Sequence, residues 1–187
     1  MKKILLLCAV LNCSLFGCGS SEGLLNTSMV TSTTDTVLLD SDVVSWVDAV
    51  GAKATACAAT SFPSIPLADS VNVTVKSTAY SNTGSNTLPI RIESATISYE
   101  PANSATPAMA SEYQILGITM DNGGSAIVPV RVATQEQKMS LLPLLACSST
   151  MYNYYTKIRI TVSEIGSDKK STTETALQLR FSDYIDK

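Results

Sequence analysis

Ile158-Arg159-Ile160-Thr161-Val162, the turn Gly166-Ser167-Asp168-Lys169-Lys170 and Leu177-Gln178-Leu179-Arg180-Phe181 decide the fold class of this 187-residue chain. In each arm apolar and polar residues alternate, so one face is buried and the other wetted, which is the period of a half-buried strand. Two such arms around a Gly/Ser/Asp turn make an antiparallel hairpin. The same period runs upstream, where Val71, Val73 and Val75 alternate with Asn72, Thr74 and Lys76. Ile90 and Ile92 alternate with Arg91 and Glu93, but Ile97 and Tyr99 fall in the opposite phase. A one-residue slip inside a strand requires a bulge or a change of partner, expected near Ser94-Ala95. Tyr113, Ile115, Ile118 and Met120 mark a further strand, and Asp121-Asn122-Gly123-Gly124 carries hairpin-turn chemistry. Ile127, Val128, Val130 and Val132 follow, with Pro129 restricting that strand to an edge or a bulge.

The remaining stretches are less regular. Val37-Leu38-Leu39 and Val43-Val44-Ser45-Trp46-Val47 predict a first strand or strand pair, split by Asp40-Ser41-Asp42. Asp40 and Asp42 lack the further oxygen ligands a Ca²⁺ site needs and read as a solvated turn. Trp46, the single tryptophan, reads as core. Gly51 to Pro66 reads as a long connection and Ser81 to Asn86 as a turn. Gln135 to Leu145 is the one helical stretch, with Met139, Leu142 and Leu145 on one face and Pro143 limiting it to about two turns. About seven strands, unequal polar connections and at most one short helix predict an all-β, two-sheet antiparallel Greek-key sandwich. An up-and-down barrel, the alternative, needs more even strand spacing. The series resembles an immunoglobulin-like domain over Thr36 to Asp186. The resemblance is architectural: Trp46 precedes both Cys57 and Cys147, so no Cys…Trp…Cys spacing exists and no functional residue carries across.

At the N-terminus, Lys2 and Lys3 precede an apolar run from Ile4 to Phe16. That run is short of the ~20 residues a spanning helix needs and suits the apolar region of a secretory signal. It ends in Leu15-Phe16-Gly17-Cys18, which resembles the lipobox of bacterial lipoproteins, with bulky Phe16 as its one departure. The resemblance implies a signal peptide over residues 1–17, a diacylglycerol on the Cys18 sulfur, cleavage before Cys18 and acylation of the new amine. Gly19 stands where that family's inner-membrane retention signal has Asp, which implies the outer membrane in a Gram-negative cell. Residues 18–35, rich in Ser, Thr and Gly, are expected to form a flexible tether, and residues 36–187 the sandwich domain. Cys8 and Cys13 leave with the signal and Cys18 carries lipid, so Cys57 and Cys147 remain. In the oxidising compartment that the resemblance implies, an even pair reads as one disulfide, with two free buried thiols as the alternative.

Composition narrows the chemistry. There is no histidine, which removes Ser-His-Asp and Cys-His catalysis and imidazole-based zinc or haem sites. A formal net charge of −3 argues against nucleic acid as a partner, and no stretch implies a cofactor or metal. The expectation is a membrane-anchored envelope lipoprotein, held by lipid on Cys18, that acts as a non-catalytic module toward another envelope or surface protein. The alternative is a carbohydrate-binding or adhesive surface module using Trp46 or the Tyr152, Tyr154 and Tyr155 group. An enzyme would need a carboxylate pair in a cleft, and no pair stands out. The sequence itself names no ligand-binding residue.

Overall fold

The computed structural model describes residues 22–183 apart from 56, 65–66, 81–86 and 168. The expected signal peptide, Cys18 and the expected turn at Ser81 to Asn86 therefore lie outside the described residues. Two sheets face each other. One has the order β1-β2-β6-β9, formed by β1 (Gly23–Leu24), β2 (Ser28–Thr34), β6 (Asp69–Ala79) and β9 (Ser125–Ala133), all antiparallel. The other has the order β3-β11-β10-β7-β8, formed by β3 (Leu38–Asp42), β11 (Lys170–Ser182), β10 (Tyr152–Glu164), β7 (Ile90–Pro101) and β8 (Glu112–Met120). Its neighbours are antiparallel except β3, which lies parallel to β11 with Leu38 opposite Gln178. A small third sheet pairs β4 (Ser45–Val47) with β5 (Phe62–Ser64). The single helix among the described residues is α1 (Gln135–Leu145).

The alternation read from sequence is the alternation observed. Val71, Val73 and Val75 from β6 meet Ile158, Ile160 and Val162 from β10 and Leu177, Leu179 and Phe181 from β11 in one core, while intervening residues such as Asn72, Thr74 and Arg159 are wetted. Tyr99, Tyr154 and Phe181 stack edge to face, at centroid distances of 6.4 and 5.8 Å. The Tyr99 hydroxyl crosses from one sheet to the other to donate to the Val132 carbonyl at 3.1 Å. The phase change in β7 is a bulge at Glu93: the register shifts between Ile92 and Ser94 on the β8 side and between Thr161 and Val162 on the β10 side. Gly117, with φ of 68°, sits in the matching irregularity of β8, a conformation that strains any side chain. Pro129 lies in β9, the edge strand of its sheet.

Several expectations need correction. Eleven strands occur among the described residues, rather than about seven, because short pieces such as β1, β4 and β5 pair locally. Residues 18–35 are not a tether from Gly23 onward: β1 and β2 occupy that stretch. Small polar side chains do not prevent a strand when the backbone has a partner. Ser28, Val30 and Ser32 point inward, fully buried, and β2 pairs with β6 along its length. The Ser32 hydroxyl meets Thr173 Oγ1 of β11 across the core at 3.1 Å. Asp40-Ser41-Asp42 is the end of β3 rather than a solvated turn, with Arg180 of the adjacent strand 2.6 Å from Asp40.

Asp121 to Gly124 closes as a tight turn, Gly124 N–H donating to Asp121 at 3.0 Å, but it carries the chain between sheets and pairs no hairpin. The Asn122 side chain fixes that crossing by bonding Thr27 at 2.8 Å and Ser77 at 3.1 Å. The helix begins at a capping box in which Thr134 and Gln137 bond each other reciprocally. Its buried face is Gln137, Lys138, Leu141 and Leu145, and Met139 is exposed. Lys138 tolerates this because Asp69 neutralises it at 2.8 Å.

The position of β2 sets an expected outcome for truncation. A chain starting at residue 22 keeps β1 and β2 and folds with a β-type circular dichroism spectrum. A chain starting at residue 36 loses both, uncovers the β6 edge and the core around Val30, and melts earlier or aggregates. Equal thermal stability of the two truncations would contradict the placement of β2.

Candidate functional site

The strands of the larger sheet run between two ends of the molecule, and the chemically distinctive side chains collect there. At one end Cys57, in the excursion between β4 and β5, meets Cys147, just after α1. They form a disulfide with Cα atoms 5.6 Å apart across a separation of 90 residues. This is the bridge expected from sequence, between the connection that follows the first strands and the connection that enters β10. Cys57 and Cys147 have φ of 60° and 58°, the two non-glycine residues with positive φ among those described. Such backbones persist where surrounding contacts over-determine them. For Cys147 those contacts are visible: its N–H donates to Asp183 Oδ2 at 2.6 Å, and the Trp46 indole N–H reaches the same carboxylate at 3.2 and 3.3 Å. Trp46 is buried, as its composition context predicts.

The sulfurs of Cys57 and Cys147 and the Asp183 carboxylate lie within 4.8 Å of one another. Metal coordination by cysteine uses thiolate, and here both sulfurs are committed to the disulfide, so in this state the trio is a structural lock. The chain-entropy model assigns a bridge of this span about 4–5 kcal/mol, a large part of the ~5–15 kcal/mol typical of a domain.

At the opposite end the β1–β2 connection is clasped to the β10–β11 connection by Glu164. Its carboxylate accepts from Thr27 N–H and Thr27 Oγ1, both at 2.7 Å, and from Ser167 Oγ at 3.1 Å. Burial pushes this carboxyl up. The bonds from Thr27, Ser167 and the Asn26 backbone outweigh that and hold it below the usual carboxylate range. Nothing in the sequence separated Glu164 from the other acidic residues: it ends a strand beside a turn, where a solvated charge is ordinary. The nearest signal is the parity of β10, which aims Glu164 to the same side as Ile158, Ile160 and Val162.

The aromatic residues considered for sugar stacking do not assemble as a platform. Tyr154 is fully buried, its hydroxyl donating to the Pro107 carbonyl at 2.8 Å, and burial pushes that hydroxyl up to about 12. Tyr152 is half-buried and Tyr155 is exposed on the other face. No protein-family model matches the chain, and no curated protein is significantly similar to it.

Two outcomes follow from these ends. Cys57→Ser, Cys147→Ser and the double substitution lose similar stability, by about 4–5 kcal/mol at most, in denaturant titration. The oxidised wild type shows no free thiol from this pair in denaturant. For Glu164, a folded-state pKa below the unfolded value of ~4.3 means its contribution is present above that value and lost as pH falls through the folded pKa. Glu164→Gln therefore lowers the melting temperature at neutral pH and flattens its decline between neutral and acidic pH. An unchanged pH profile would remove the clasp from the stability account.

Proposed function

We propose that this chain is a lipid-anchored envelope protein whose β-sandwich acts as a non-catalytic interaction or structural module. The observation that carries the reading is the N-terminal series: Lys2-Lys3, the apolar run and Leu15-Phe16-Gly17-Cys18, with the first strand beginning at Gly23. A disulfide-closed domain following such a series suits an oxidising envelope compartment.

We further infer that the domain is immunoglobulin-like with a Greek-key path. In support, β2 and β3 are consecutive yet lie in different sheets, as do β6 and β7, and β9 and β10. The parallel pairing of β3 with β11 distributes the early strands over both sheets, β1 and β2 in one and β3 in the other.

The test is metabolic labelling with a fatty acid in the native host. Cys18→Ala is expected to abolish label and to leave the protein unprocessed or soluble. Label retained on the substituted protein, with continued membrane association, would refute the anchor. Crosslinking in intact cells followed by mass spectrometry identifies the partner, and recovery of no protein partner would count against the interaction module.

A further inference from the structure

We propose that the end of the domain carrying Gly23 is a membrane-contact surface, in which Leu24, Tyr80 and Ile165 seat in the interfacial layer of a phospholipid bilayer. The inference rests on the lipid-anchor reading and extends it from the chain terminus to the folded domain. Its first support is the length of chain between anchor and fold. Residues 19–22 alone separate Cys18 from Gly23. Those five Cα-to-Cα steps reach at most about 18 Å. The domain is longer than its leash, since the thirteen-residue strands β10 and β11 extend about 40 Å. The Gly23 end is therefore kept within about 18 Å of the anchored Cys18, while the disulfide end is free to lie farther off.

The second support is what that end displays. Leu24 is 57% exposed, Tyr80 55% and Ile165 41%. They belong to one connected piece of surface: Tyr80 N–H donates to the Thr27 carbonyl, Thr27 donates to Glu164, and Ile165, the next residue, donates to the Pro89 carbonyl at 2.8 Å. Lys169 and Lys170 follow in the same turn, both exposed, with the Lys170 ammonium also 2.8 Å from Glu93. Apolar tips, a tyrosine with a polar end and adjacent ammonium groups match the layering of an interface, where acyl chains, ester oxygens and phosphates follow in that order. The Glu164 clasp holds the two connections together in advance, so docking would not require the surface to form on contact.

The experiment uses the full-length acylated protein in nanodiscs of phosphatidylethanolamine and phosphatidylglycerol, with acylation verified by intact mass. Leu24→Cys, Ile165→Cys, Ile115→Cys and Val50→Cys each receive a nitroxide label, and accessibility to oxygen and to a water-soluble nickel chelate is measured. Ile115 reports the outer face of the larger sheet and Val50 the disulfide end. The expected result is chelate accessibility several-fold lower at Leu24 and Ile165 than at Ile115 and Val50, with raised oxygen accessibility. Equal accessibility at all four, or protection centred on Ile115 or Val50, overturns the membrane-contact surface while the verified acyl mass leaves the anchor standing. A chain with no acyl mass overturns the anchor itself, and this inference with it.

Discussion

Strand β10 is paired on both sides along nearly its whole length, with β11 on one flank and β7 on the other. Its inward side chains Tyr154, Ile158, Ile160 and Val162 are fully buried. A strand so enclosed has no polar backbone left over, which removes the cost of burying unpaired amides. Other features are measured from it. The edge-to-face ring stack centres on Tyr154, Cys147 enters the bridge just before β10 begins, and Glu164 closes the clasp at its last residue.

The sequence was most legible where a strand has one wet face and one dry face. Residues 71–75, 158–162 and 177–181 carry that contrast in their own side chains, and the bulge in β7 was readable as a break in the same period. The helix was readable from Met139, Leu142 and Leu145 at helical spacing, although the face it buries is Gln137, Lys138, Leu141 and Leu145. Legibility failed where burial is conferred by a partner distant in the chain. β2 is Ser/Thr-rich, and what makes it a strand is the open edge of β6 together with Thr173. Asp40 looked like a turn residue because Arg180, its counter-charge, lies 140 positions away. Lys138 faces inward for a comparable reason, with Asp69 waiting there.

Glu164 and Asp183 were missed on the same grounds. Each gathers donors from separated segments: Thr27 and Ser167 in one case, Trp46 and the Cys147 backbone in the other. A one-dimensional pattern shows the acceptor but not the donors. The disulfide was legible because only two cysteines remained after the proposed anchor, so pairing needed no geometric knowledge. The turn at Asp121 to Gly124 shows the converse: its local chemistry was read correctly, while the sheets that it joins depend on the whole topology.

The parallel pairing of β3 with β11 bears on how the protein is made. The strand at residues 38–42 waits for residues 178–182, and the face of β2 and β6 waits for the sheet centred on β10. At about 5–20 residues per second of synthesis, some seven to thirty seconds separate emergence of β3 from that of its neighbour. Until β7 and β10 have emerged, Val30, Val71, Val73 and Val75 have no opposing layer. The nascent chain is thus kept from closing early, and it carries a matching need for protection from premature association until its final strand arrives.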